Sequence, residues 1–243
     1  MTEERDHLVY YLRIMYSSGY HSERMEEQKE NIEIMKKIIS LNPILNDDEK
    51  ILLSVAYKNS VSTRRNSICE VKQHLQDAEM NNYEYRAQQL KEYLNTLKTE
   101  LKDICMDLIQ LVKDTLEPHA VNPELRIFYE KLKADYLRYI CECDEDEKEK
   151  LADEAKQCYQ NALDIAKNEL SPISTVYLGV VLNYSVFLYE IMGRTQEAID
   201  LSSRTYQETV DSVDSSNPDY SEIVMILRIL GENQKRWMST NEY

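Results

Sequence analysis

Seven apolar residues, Leu90, Leu94, Leu97, Leu101, Ile104, Leu108 and Leu111, recur at steps that alternate four and three. That rhythm places all seven on one stripe of a single long helix. The stripe must be covered, either by neighbouring helices or by a coiled-coil partner. Only this segment carries clean heptads, so packing against neighbouring helices is the simpler reading. Glycine narrows the field further. Four glycines in 243 residues leave a β-sandwich without its turns and a nucleotide enzyme without a glycine-rich phosphate loop.

Helix punctuation fills in the rest. Asn46, with Glu49 three residues on, forms a capping-box pattern ahead of the run from Ile51. Asn122-Pro123 and Asn217-Pro218 each pair an N-cap residue with a proline at the first helical position. Pro118 closes the Leu90 segment, Pro172 separates two later helices, and Gly193 stops a helix before Thr195 starts another. These marks predict about nine helices: two before residue 43, then 47–80, the Leu90 helix, 122–143, 147–170, 174–192, 195–213 and 218–238. Short connections favour antiparallel neighbours. The stretch Val176 to Ile191, rich in Val, Tyr and Phe, is too long for a buried strand and reads as a central core helix. No long linker interrupts the array. Tyr159 to Val210 has the rhythm of tetratricopeptide repeats, but the repeat is not kept along the chain.

Composition limits the function. Lys plus Arg number 29 against 44 Asp plus Glu, a net charge of −15 that argues against non-specific nucleic-acid binding. No apolar run reaches membrane-spanning length, and the opening MTEERDHLVYY lacks the pattern of a signal peptide. Five scattered cysteines fit reduced thiols, and the expected location is cytoplasmic. Cys141, Cys143, Asp144, Asp146 and Cys158 lack the paired spacing of a zinc site, and the acidic run from Asp144 lacks the glycine of a calcium loop. His7, His21, His74 and His119 show no pairing with a nucleophile or carboxylate. The expectation is therefore a protein with no catalytic residues, no metal and no cofactor.

The cations carry more information. Lys58 and Arg65 stand seven apart, two turns of one helix, and Lys131 and Arg138 repeat that spacing with Tyr139 alongside. Spacing alone fits a solvated face as well as an anion site. Yet Lys58 follows the apolar LLSVAY, and Arg138 lies within DYLRYIC. A guanidinium in such a setting seeks a carboxylate or a phosphate.

Several segments together resemble one family. LLSVAYKN (Leu52 to Asn59) with Arg64-Arg65, FYEKLKADYLRY (Phe128 to Tyr139), LNYSVFLYEI (Leu182 to Ile191) and the stretch ending in Trp237 are similar to 14-3-3 proteins, in order, from about Met35 to Trp237. The resemblance implies an all-α fold of nine antiparallel helices forming a cup-shaped protomer with an amphipathic groove. It implies one domain over 1–243, in which 1–117 supplies dimerisation and groove-floor helices and 118–243 the groove-forming helices. It also implies binding of phosphoserine or phosphothreonine segments of client proteins, and a homo- or heterodimer. By the same resemblance the phosphate falls to Lys58, Arg65, Arg138 and Tyr139, with Lys131 as a further groove lysine. Asn183 and Asn233 match residues that hydrogen-bond the ligand backbone, and Glu190 an acidic groove residue. Leu182, Val186, Ile226 and Ile229 match the apolar wall, with Trp237 near the peptide's end. The alternative is a helical-repeat scaffold for unphosphorylated segments.

The sequence also departs from the family's pattern. Gly231 stands where the family usually has an arginine, and Arg236 replaces an apolar wall residue. Tyr16 to Glu30 does not reproduce the family's dimer-contact pattern. A dimer is still expected, because the stripe through Leu8, Leu12 and Met15 needs a surface to bury it. Ser67, two residues beyond Arg65, is a candidate phosphorylation site near those contacts.

Overall fold

The computed structural model describes residues 2–17 and 25–240. Every regular element among them is helical, and they divide into two compact units, 1–119 and 120–243. His21 and much of the Tyr16 to Glu30 segment lie outside the described residues.

The first unit holds α1 (Thr2–Ser17), α2 (Met25–Leu41), α3 (Asp47–Met80) and α4 (Glu84–Leu111). The capping box at α3 is complete: the Glu49 backbone N–H donates to Asn46 Oδ1 at 3.0 Å, and the Asn46 N–H donates to Glu49 Oε2 at 3.0 Å. Asn82, at φ 56°, ends α3 in the left-handed region. That turn lets the Tyr83 N–H reach back to the Ala78 carbonyl at 2.9 Å, so α4 folds against α3 as a hairpin. Leu94, Leu97, Leu101 and Leu108 of the heptad stripe are buried, while Leu90, Ile104 and Leu111 are partly exposed. Regular α-geometry stops at Leu111, short of the expected proline. Val112–Leu116 is a π-helical turn, and Glu117–His119 a 3₁₀ turn. The ring of Pro118 would clash with the carbonyl four residues back, and widening the turn relieves it.

Leu12 of α1 is fully buried within this unit, where α1 packs on α2 and α3. Of the stripe through Leu8, Leu12 and Met15, Leu12 is thus covered by the chain itself, while Leu8 and Met15 stay partly exposed. Tyr10, Tyr11 and Ile14 are the exposed large apolar residues of α1.

The second unit holds α5 (Pro123–Cys143), α6 (Glu145–Glu169), α7 (Thr175–Glu190), α8 (Thr195–Ser212) and α9 (Tyr220–Thr240). Asn122 caps α5, accepting the Leu125 N–H at 2.8 Å, with Pro123 at the first helical position. Asn217-Pro218 does not repeat this. Asn217 Oδ1 accepts the Asp219 N–H at 2.8 Å in a turn, and α9 starts only at Tyr220. Apolar on nearly every side, α7 packs against α5, α6, α8 and α9, burying Leu178, Val181, Tyr184, Phe187 and Leu188. Tyr159 of α6 packs on Tyr184 and Phe187, with ring centroids 5.4 and 5.2 Å apart. Gly193, at φ 64°, ends the helix and lets the Arg194 N–H bond the Leu188 carbonyl at 2.8 Å.

Candidate functional site

The two basic pairs fall in different units, so each is built from its own surroundings. In the first unit, Leu52, Leu53, Ala56 and Tyr57 bury one side of α3 and leave Lys58 exposed. Tyr57 fixes that turn: its hydroxyl donates to Asp107 Oδ2 at 2.7 Å, and Lys36 of α2 pairs with Asp107 Oδ1 at 2.7 Å. Of the adjacent arginines, Arg64 is structural. It is fully buried, donating from Nε to Glu100 at 3.1 Å and from Nη1 to the Ser60 carbonyl at 2.9 Å and to Gln28 at 3.3 Å. Arg65, one residue on, is half-buried. The Ser67 hydroxyl is half-buried and donates to the Thr63 carbonyl at 3.1 Å.

In the second unit, Asp135 is the centre. Its carboxylate pairs with Lys131 at 2.8 Å and lies 3.6 Å from Arg138 Nη2. The Tyr159 hydroxyl donates to it, and Asn183 Nδ2 lies 2.9 Å from both of its oxygens. Arg138 in turn donates from Nε to the Tyr159 oxygen at 3.2 Å and pairs with Glu142. Its guanidinium lies over the Tyr139 ring, 4.7 Å from the centroid. Burial opposes ionisation of Asp135, but Lys131 and Arg138 outweigh it and hold the carboxyl below its ordinary value. Burial likewise opposes the charge on Arg138, yet Tyr159, Asp135 and Glu142 keep it firmly protonated. Burial, reinforced by Asp135, pushes the Tyr159 phenol up, so it stays a donor.

The arrangement has a net charge close to zero: two cations, Lys131 and Arg138, against Asp135 and Glu142. It orients a guanidinium and an ammonium rigidly but supplies little excess attraction for an anion.

The remaining candidates lie on α7 and α9. Leu182, Asn183 and Val186 are half-buried and Glu190 is exposed. On α9, Ile226, Ile229 and Asn233 are partly exposed beside the buried Ile223, Leu227, Leu230 and Trp237. Trp237 is fully buried and stacked on Tyr189 with centroids 5.1 Å apart, tying α9 to α7. Arg236 donates to Asn233 Oδ1 at 3.1 Å.

Among the described residues, no group of three or more His, Cys, Asp or Glu is placed to hold a metal. No helix there is long and apolar enough to cross a membrane. Four of the five free cysteines are buried, and burial pushes the Cys141 thiol up to about 11.

Comparison with known proteins decides the family. The sequence model of the 14-3-3 protein family matches residues 20–238. The chain belongs to the 14-3-3 family. It is 36% identical over 223 residues to the Xenopus laevis 14-3-3 protein beta/alpha-A, covering 91% of each chain. It is 36% identical to the Bos taurus and 35% identical to the Homo sapiens 14-3-3 protein beta/alpha, covering 91% of this chain and 90% of each relative. The all-α architecture agrees with that membership. 14-3-3 proteins are phosphopeptide-binding adaptors without catalytic activity, and the chain is a binding protein of that kind.

Sequence reasoning singled out Arg138 but missed Asp135, Glu142 and Tyr159. Two of these left a signal: Lys131 to Asp135 and Arg138 to Glu142 are each four apart, the spacing of a helical ion pair. Tyr159 sits 21 residues beyond Arg138 on another helix, and no local pattern marks it.

Proposed function

We propose that Lys58, Arg65, Arg138 and Tyr139 are the phosphate-binding residues of this adaptor. The ligand is a phosphoserine or phosphothreonine segment of a client protein. Lys131 lines the groove, and Asn183 and Asn233 meet the segment's backbone. Leu182, Val186, Ile226 and Ile229 take its apolar side chains, and Glu190 favours a cation along it. The observation that carries this reading is the Asp135 arrangement. One buried carboxylate fixes Lys131, Arg138 and Asn183 at once, so a phosphate ligand and a backbone ligand are held in a set relation.

Charge accounts for the selectivity. A phosphomonoester carries about −1.5 to −2 at neutral pH, against at most −1 for a carboxylate. Arg138 is already matched by acids, so discrimination rests chiefly on the exposed Lys58. Binding then acts by mass action, masking or clamping the client segment. In a dimer, two grooves bridge two sites of one client. The exposed Tyr10, Tyr11 and Ile14 of α1 and Tyr93 of α4 offer apolar surface for a homo- or heterodimer through the first unit. The site of action is the cytoplasm, where kinases act and thiols stay reduced.

One observation favours the second reading, a scaffold for unphosphorylated segments: the pairing of Lys131 and Arg138 with Asp135 and Glu142. Calorimetric titration with one peptide, with and without its phosphate, separates the two. The adaptor reading expects at least a hundredfold preference for the phosphorylated form; equal affinities would establish the scaffold.

A further inference from the structure

One face of α9 carries Ile226, Ile229, Asn233 and Arg236, spaced three, four and three apart. Its neighbours on the core side, Ile223, Leu227, Leu230 and Trp237, are buried, whereas Ile226, Ile229 and Asn233 are partly exposed and Arg236 is exposed. The face therefore begins apolar and ends in a cation. Arg236 is engaged with that face, because its Nη2 donates to Asn233 Oδ1 at 3.1 Å. The amide oxygen proposed to meet a ligand's backbone already holds a guanidinium.

We infer that Arg236 is a specificity-determining residue, which makes this groove select phosphorylated segments carrying an acidic side chain where they pass the end of α9. The inference rests on the adaptor reading above. A segment with an apolar side chain there strands a cation beside a greasy contact and competes with Arg236 for Asn233. A Glu or Asp side chain receives the guanidinium as a charge-assisted, bidentate pair instead. Drawing Arg236 onto the ligand releases Asn233 Oδ1 for the ligand's backbone N–H. In a chain of net charge −15, an exposed cation on this face offsets a general repulsion of acidic segments at one place, which makes the preference positional.

The test walks one glutamate through the positions flanking phosphoserine in an otherwise neutral peptide, titrating the parent, Arg236→Leu and Arg236→Lys by fluorescence anisotropy. At one position the parent gains about three- to tenfold in affinity over the glutamate-free phosphopeptide, the range of a partly exposed charge pair. The gain vanishes in Arg236→Leu and survives in part in Arg236→Lys. Arg236→Leu binds the glutamate-free phosphopeptide at least as tightly as the parent, because Asn233 is released. Thermal melts of the three proteins coincide within a few degrees, as expected for an exposed site. No gain at any position, or a gain that persists in Arg236→Leu, overturns the inference while leaving the adaptor reading standing. Failure of the glutamate-free phosphopeptide to bind better than its unphosphorylated form overturns both.

Discussion

Asn183 of α7 reaches across to α5 and lies 2.9 Å from both carboxylate oxygens of Asp135. A residue matched to ligand-backbone binding and the anchor of two cations are thereby one mechanical unit. Removing the anchor leaves Arg138 with Glu142 but frees Lys131 and Asn183, and strands the Tyr159 hydroxyl in the core. Asp135→Ala is expected to cost about 3 kcal/mol of stability, the low end for breaking a buried ion pair. Its Tm should fall by about 6–12 °C, and phosphopeptide affinity should drop in the fraction that remains folded. A melt within 2 °C of the parent, on the order of the smallest resolvable effect, would show that Asp135 anchors nothing.

The same carboxyl sets a pH dependence. Lys131 and Arg138 overcome burial and hold Asp135 below its ordinary value of 3.8. The unfolded chain therefore takes up this proton first on acidification. The stabilisation is whole above the ordinary value and drains away as pH falls through the depressed one. Denaturant midpoints of the parent and Asp135→Asn should differ at pH 7 and converge below about pH 4. A gap that stays constant to pH 2 or so, below the ordinary carboxylate range, would mean that the charge on Asp135 adds nothing.

Gly231 sits inside α9 with room to spare. A Cβ there meets only Tyr206 Cε2, at 3.7 Å, an ordinary contact. Gly231→Ala should stabilise the protein by up to about 1 kcal/mol by restricting the unfolded chain. The denaturant midpoint should rise with an unchanged slope. A lower midpoint would reveal packing at Gly231 that the open space does not suggest.

Trp237 is buried against Tyr189, and its indole N–H meets no acceptor among the described residues. Trp237→Ala should cost about 3–5 kcal/mol, as large core truncations do. Trp237→Phe should cost much less, since it keeps an aromatic ring against Tyr189 and discards an unsatisfied donor. Parent-like phosphopeptide affinity in Trp237→Phe is the outcome expected of a residue that supports the groove. A large selective loss of affinity would return it to the ligand's contacts.

How much of this was legible in the sequence depends on whether the signal was local. The Asn46–Glu49 box, the Asn122 cap and the Gly193 stop each act over three or four residues, and the structure carries all three. Asn217-Pro218 looked like Asn122-Pro123, but its side chain closes a turn two residues on and delays α9. Pro118 marked the end of a helix without revealing the π turn its ring imposes upstream. Leu12 reads as part of an apolar stripe whether its cover is another protomer or α2 and α3, so the pattern could not choose. Asp135 illustrates the same limit at the site. Its pairing with Lys131 is local, while its bonds to Tyr159 and Asn183 depend on how α5, α6 and α7 pack.

The central claim is that the exposed Lys58 supplies the charge that Arg138, matched by its own acids, does not. Lys58→Glu tests it most directly, by calorimetric titration of parent and variant with one phosphoserine peptide beside a thermal melt of each. The residue is exposed on α3, so the melt should be unchanged or slightly raised. Reversal removes one attraction and adds a repulsion, with each charge-assisted bond worth about 1.5–3 kcal/mol. The account predicts a loss of about 3 kcal/mol or more, over a hundredfold in affinity. Binding as tight as the parent's at an equal Tm would contradict it.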